Sequence, residues 1–361
     1  MRNEAGGSGL ETGGSGLNTG DSNLEAPKTA MVGDRTEREL IARIRARLPP
    51  APPWMLVGVG DDAAVIEPAR NRAEVLSVDA LVEGVHFDRA FTPPEAIGHR
   101  ALAVNLSDLA AMGAAPRLAL LSFALPSSLP LDDFDRIVSG IAAVAAHHDV
   151  HVAGGNLTRS PGPLVIDITV AGSVKPRQAL TRGGARANDE IYVSGAIGAA
   201  AAGLQMLAGA MSSVSAVVKS DSCINRYLYP QPRVRLGLLL SRNRAASACM
   251  DLSDGLADAV RQVAEASDVG AIIDAAALPI DAGARCWFDA HGDDAIDAAI
   301  AGGDDYELLF AVRPRLRNRL KAARASGIAM TRIGVFTADR ALLVRRPGGD
   351  TPLPQGYSHF R

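Results

Sequence analysis

Residues Ala101 to Pro116 read ALAVNLSDLAAMGAAP, an apolar, helix-like run that carries Asn105 and the pair Ser107 and Asp108 at its middle. A lone carboxylate among Ala, Leu and Met is costly to bury unless a cation or hydrogen-bond donors meet it. Asp108 therefore faces solvent, caps the second half of a broken helix, or belongs to a site. The rest of the chain points to a site. Asp61, Asp62, Asp79, Asp251 and Asp254 also stand beside Gly, Ser or apolar residues, with no Lys or Arg adjacent. Carboxylates that converge without fixed cations call for metal ions, and hard oxygen ligands with room for water and phosphate suit Mg²⁺.

The 361 residues allow two ordinary domains, because single cores rarely grow beyond about 250 to 300 residues. A net charge of -3 gives no reason to expect nucleic acid or an anionic membrane as partner. Three cysteines, Cys223, Cys249 and Cys286, form no CxxC pair, which argues against a disulfide framework and a zinc site and favours a cytoplasmic setting. The most apolar helical stretch, Ala196 to Met211, contains Gln205 and is too short for a bilayer. No signal peptide is expected. Residues 1–34 echo a Gly/Ser/Thr-rich unit and have too little to bury, so a disordered tail is expected there.

Folding should begin near Thr36, which caps the helical pattern TERELIARIRARL until Pro49 to Pro53 stop it. WMLVGVGDDAAVIEP reads as a strand broken at its centre, and EVLSVDALVEGVHFD as a strand ending near Asp79, with Glu83 and His86 in the following loop. After the central helix come a strand at RLALLSFALP, a helix at LDDFDRIVSGIAAVAAHHD, and a strand, glycine turn, strand unit at VHVAGGNLTRS and LVIDITVAGSV. KPRQALTRGGARAND, Lys175 to Asp189, marks the expected domain boundary, giving domains of 35–174 and 175–361. The second half alternates strands and helices, and the whole predicts an α/β (α+β) architecture.

GVGDDA, Gly58 to Ala63, resembles a dinucleotide fingerprint only weakly. Two acids would fall beside the phosphate, and Pro68 ends any helix within two turns. Metal ligation, with the cation cancelling the acids' repulsion, and an exposed acidic turn both remain open for this pair. His86 is a candidate substrate contact or an ordinary surface residue. His147, His148 and His151 straddle a helix end, where charge complementarity with the helix dipole is the simpler reading. AGGNLTRS suits close approach of backbone to phosphate but lacks the Lys of a P-loop. In MDLSDGLAD a single N-cap accounts for only one of Asp251, Ser253 and Asp254. GGDDYELLF again sets two acids behind two glycines. There is no Ser/His/Asp triad and no activated cysteine, so phosphoryl transfer, which needs mainly positioning and charge neutralisation, is the favoured chemistry.

The ordered motifs GDDAAVI, VDALVEGVHF, ALAVNLSDLAAMGAAP, GGN-TR, ALTRGGA, MDLSDGLADAV, GGDDYELLF and GYSHF resemble those of the thiamine-monophosphate kinase family, within the aminoimidazole-ribonucleotide-synthetase-like superfamily. The resemblance runs from about Thr36 to Phe360. It implies direct in-line transfer of the ATP γ-phosphoryl group to thiamine monophosphate with several Mg²⁺ ions. Position by position, it implies Mg²⁺ ligation by Asp62, Ser77, Val78, Asp79, Asp108, Asn156, Asp251 and Asp254, with Asp254 beside the transferring phosphate. Gly155, Arg182 and Ser253 correspond to ATP contacts, and His86, Asp304 and Tyr357 to substrate contacts. The implied fold has an N-terminal domain whose four-stranded sheet closes a barrel with a second subunit, hence a homodimer, plus a C-terminal α/β domain. Three positions depart from the family pattern. Asn156 replaces a metal-binding Asp, Asp304 stands where Glu is frequent, and Val78 replaces a frequent Thr, leaving only a backbone carbonyl for a metal. A homologue that binds nucleotide or thiamine phosphate without turnover, and another ATP-using enzyme of the superfamily, are the alternatives.

Overall fold

A computed structural model describes residues 29–212, 222–325 and 327–356. Of the tail expected over residues 1–34, residues 1–28 lie outside the described residues, and its last stretch is folded: Val32 is buried, its amide bonds the Leu129 carbonyl, and Val32–Asp34 form a single 3-10 turn. Helix α1 (Glu37–Arg45) starts as its sequence dictates. Thr36 and Glu39 form a capping box, each side chain accepting the other's amide.

The short strands β1 (Met55–Val57) and β2 (Val65–Ile66) pair across the Asp61/Asp62 loop. There follow β3 (Ala73–Val82), α2 (Pro94–Ala111), β4 (Ala115–Pro126), α3 (Leu131–His147), β5 (His151–Ser160) and β6 (Val165–Val174). The strands make one sheet in the order β3-β6-β4-β5, so β3 and β5 are its two edges. Between Val174 and Glu190 the chain passes to a second layer. It comprises β7 (Glu190–Ser194), α4 (Ala199–Ser212), α5 (Ser222–Leu228), α6 (Val234–Arg242), β8 (Ala248–Asp251), α7 (Leu256–Ser267), β9 (Gly270–Asp274), α8 (Ala282–His291), α9 (Ala295–Ala301), β10 (Leu308–Val312), α10 (Lys321–Arg324), β11 (Met330–Thr337), β12 (Leu342–Arg346) and β13 (Gly349–Pro352). Its seven strands form a mixed sheet, β13-β12-β9-β11-β7-β10-β8, with β8 at the edge. The fold is a two-domain α/β assembly, and among the described residues no helix is long and apolar enough to cross a membrane.

Helix α2 is largely apolar, apart from a few polar residues such as Arg100, Asn105, Ser107 and Asp108, and is buried along almost its whole length. It packs against α3, against the inner face of the first sheet and against α6 and β8 of the second domain. The approach of α6 is close enough to require glycine: a Cβ at Gly237 would lie 2.0 Å from the Ala110 carbonyl oxygen of α2. Each helix is thereby locked to the other through backbone rather than through adjustable side chains.

Several local expectations need correction. Asp79 lies inside β3 rather than at its end, because the strand continues to Val82 against β6. The segment AGGN is no turn: β5 continues through it with one irregularity at Ala153, paired with β4 in the register Leu121 to Gly155 and Ser122 to Asn156. The backbone that Gly155 lets in is that of β4, since a Cβ there would meet the Leu121 carbonyl oxygen at 1.8 Å. Asp251, Ser253 and Asp254 are not helix caps, as the N-cap of α7 is Gly255, which offers no side chain. His148 does not complement the α3 dipole. Burial, reinforced by His147 and His99, depresses its pKa to about 4 and keeps it neutral.

Gly237→Ala should lower the urea midpoint by the equivalent of about 1–3 kcal/mol, the cost of overpacking a closed contact. Gly209→Ala in α4, where a Cβ would meet none of the described residues within 4 Å, should be neutral or slightly stabilising. Equal midpoints for the two variants would show that α2 and α6 are not locked in this way.

Candidate active site

Three polar residues of α2 meet three other elements. Asn105 accepts the Asp79 amide of β3 at 3.0 Å through its side-chain oxygen and returns its amide to the Ala101 carbonyl at 3.0 Å. Ser107, fully buried, donates to Asp251 Oδ2 at the end of β8 at 2.7 Å. Asp108 accepts the hydroxyl of Ser77 on β3. One helix thus ties the edge of the first sheet to the edge of the second, and Asp79, Asp108 and Asp251 gather at the seam. Asp254, in the β8–α7 turn, joins them electrostatically.

The electrostatics record that crowding. Burial, followed by the charges of Asp108, Asp254 and Asp167, raises the Asp79 pKa to about 7. Asp251 is raised by burial and then by Asp108. Asp108 is raised by burial, against the pull of the Ser77 hydroxyl and Arg182. Carboxylates forced together out of water hold protons unless a cation replaces them. Among the described residues no three His, Cys, Asp or Glu side chains close into a ready-made cage for an ion. The donor set suits a hard cation that keeps several waters and takes the rest of its oxygens from bound phosphates, which is how Mg²⁺ is commonly held.

These acids line a cleft of about 710 Å³ between the domains. Ser77, Val78, Asp79, Asp108, Arg182, Asp251, Ser253 and Asp254 lie in its wall, and so do His86 and Asp304. Arg182 is turned back onto Gln262 of α7, and Val78 exposes its side chain between Ser77 and Asp79. Asp62, Gly155 and Asn156 are elsewhere. They line a second cavity of about 430 Å³ beside α1, at the β5 edge of the sheet. That edge is three strand spacings, about 14 Å, from the β3 edge. Tyr357 lies outside the described residues.

The acids of GGDDYELLF divide their work. Asp304 faces the cleft. Asp305 instead accepts the amides of Gly198, at 2.7 Å, and Ala200 at the start of α4. Glu307 is wholly buried between Arg226 and Arg233. Sequence reasoning missed Arg100, Tyr227 and Tyr306, all of which line the cleft. The available signal was the spacing of Arg100, Val104 and Asp108, which repeats every four residues along one helix stripe.

Comparison with known proteins agrees with this architecture. Residues 60–174 match the family "AIR synthase related protein, N-terminal domain" and residues 186–345 "AIR synthase related protein, C-terminal domain". The thiamine-monophosphate kinase of Escherichia coli (strain K12) is 38% identical over 330 residues, 90% of this chain and 98% of that protein. The chain belongs to the thiamine-monophosphate kinase family. The crystal structure of the thiamine-monophosphate kinase from Stenotrophomonas maltophilia K279a superposes with a TM-score of 0.76 at 39% identity, covering 86% of this chain and 96% of its own. A second structure, AaThiL complexed with AMPPCP and TMP, has a TM-score of 0.72 at 31% identity, covering 84% and 92%.

The raised carboxyl pKa of Asp79 has a sign that can be checked. The folded state holds a proton there, up to about pH 7, that the unfolded state releases near its ordinary value of 3.8. The stabilisation is complete below that ordinary value and is lost as pH rises through about 7. Mg²⁺ should therefore raise Tm more at pH about 8 than at pH about 5.5, and Asp79→Asn should shrink the difference. An equal Tm gain at both pH values would contradict the account.

Proposed function

We propose that this chain is a cytoplasmic, ATP-dependent kinase that phosphorylates thiamine monophosphate to thiamine diphosphate by direct in-line transfer. The observation that carries the reading is the gathering of Asp79, Asp108 and Asp251 by α2 in a single interdomain cleft whose wall also presents His86 and Asp304. AMPPCP and TMP bound together in the related AaThiL support a nucleotide and a second ligand in the same enzyme.

Asp79, Asp108, Asp251 and Asp254 would hold Mg²⁺, with the Ser77 hydroxyl and the Val78 carbonyl beside them. Bound Mg²⁺ supplies neutralisation of phosphate charge during transfer. Within the protein, Ser77 and Ser107 aim two of these carboxylates by donating to them. Arg182 and Ser253 would contact the nucleotide, and Asp254 would face the transferring group. In the same cleft, His86 and Asp304 would contact thiamine monophosphate, with Tyr357 covering it. The transfer needs no protein nucleophile, only two phosphates held in line.

Asp62, Gly155 and Asn156 enter this reading through a homodimer. The outer face of the first sheet exposes Leu76 and Val78, 71% and 56%, an apolar surface that a second sheet would cover. If the two sheets close into a barrel, the β5 edge of one subunit can lie along the β3 edge of the other. The partner's Asn156 would then approach Asp79, completing a site that neither subunit holds alone.

Purified protein with ATP, Mg²⁺ and thiamine monophosphate should yield thiamine diphosphate and ADP. Asp108→Asn should lower kcat by about 10²-fold or more while the fold persists, as judged by circular dichroism. No product under any metal condition, or near-full turnover by Asp108→Asn, would refute the assignment. Binding of both ligands without turnover, restored by Asn156→Asp, would instead mark a binding protein.

A further inference from the structure

Arg100 is unusual in its surroundings. Its side chain is 1% exposed, on the cleft-lining stripe of an otherwise apolar helix. Its guanidinium lies over the Tyr227 ring, 4.3 Å from the centroid, and donates to the Tyr227 carbonyl. The remaining arm donates to Asp304 Oδ1 at 3.1 Å. Tyr306, also buried, donates its hydroxyl to the same oxygen at 3.1 Å. Among the described residues no hydrogen bond reaches Asp304 Oδ2.

A comparison within the same motif shows why this differs from a structural ion pair. Glu307 is 0% exposed and both its oxygens are occupied by Arg226, Arg233 and Ser194. Asp304 keeps 30% of its side chain exposed to the cleft, although its cationic partner is fully buried. The local backbone is also constrained, since Asp304 and Tyr306 have φ of 67° and 48°. Such left-handed conformations are strained for residues other than glycine and persist where surroundings over-determine them. Here the Asp304 amide is tied to the Ser253 carbonyl at 2.7 Å and the Tyr306 amide to that of Leu252 at 3.0 Å. The site thus spends a buried guanidinium, a buried hydroxyl and two strained residues on fixing one carboxylate oxygen and leaving the other open.

We infer that Arg100 is a positioning residue which, together with Tyr306, clamps Asp304 Oδ1 so that Oδ2 is presented to the cationic heterocyclic end of the acceptor. This rests on the reading of the cleft as a thiamine-monophosphate kinase site. Arg100 and Asp108 are eight residues apart on α2, about 12 Å along its axis. The same rigid helix therefore carries the group that aims the acceptor-reading acid and the acid at the phosphoryl end. It sets the spacing between them.

Steady-state kinetics with both substrates varied will test this. Arg100→Met should raise KM for thiamine monophosphate about tenfold or more while KM for ATP and kcat change less than about threefold. Arg100→Lys, which keeps the charge but not the fork, should recover part of the loss. In the Arg100→Met background, Asp304→Asn should add less than about twofold to the acceptor KM. Tyr306→Phe removes one hydroxyl, serves if Arg100→Met does not fold, and should raise only the acceptor KM, by about threefold or more. An unchanged acceptor KM in these variants, or equal rises for both substrates, would overturn the inference. Wild-type protein assayed alongside separates the two failures: no wild-type turnover defeats the function itself, whereas normal turnover with unmoved acceptor KM in the variants defeats the clamp alone.

Discussion

The structure depends on a buried helix that is apolar everywhere except where it must not be. Helix α2 could satisfy its burial with Ala, Leu and Val alone, yet it carries Arg100, Asn105, Ser107 and Asp108 into the interior. Each of the four reaches another element: Arg100 the Asp304 loop, Asn105 and Asp108 strand β3, Ser107 strand β8. Those bonds position acids contributed by two domains. Mutual repulsion among the acids opposes folding and is relieved by protons or by a cation. The surplus of buried negative charge makes sense as a site whose last component arrives with the ligand.

The second domain supports the arrangement with ion pairs that never reach the cleft. Glu307, held by Arg226 and Arg233, connects β10 with α5 and the entry to α6, and Asp305 anchors the start of α4. α6 then lies backbone to backbone on α2 at Gly237. Charges at the periphery of the site are thus paired and neutralised, while those at its centre are left opposing one another. The division between structural and functional acids follows from which of them have a guanidinium or helix amides at both oxygens.

Much of this was legible from local sequence. The capping box at Thr36, the buried helix through Asn105 and Asp108, and the acids without neighbouring cations are all short-range signals, and the structure brings Asp79, Asp108, Asp251, Ser253, Asp254, His86 and Asp304 into one cleft. What local pattern could not show depends on partners distant in sequence. Arg100 gains its meaning from Asp304, 204 positions away. Gly155 reads as a turn until β4 supplies the strand it must approach. Asp305 and Glu307 look equivalent to Asp304 until their partners are placed. Asp62 and Asn156 lie at the far edge of a sheet, where one chain alone does not bring them to the other acids.

The central claim, that acids from both domains share bound cations with a triphosphate, is tested most directly by anomalous scattering from crystals grown with Mn²⁺ and a nonhydrolysable ATP analogue. The account predicts metal peaks within about 2.3 Å of carboxylate oxygens of Asp79, Asp108 and Asp251 and of the analogue's phosphates. Peaks bound only at other residues, with these three aspartates still bonded to one another's neighbours and to no ion, would contradict it.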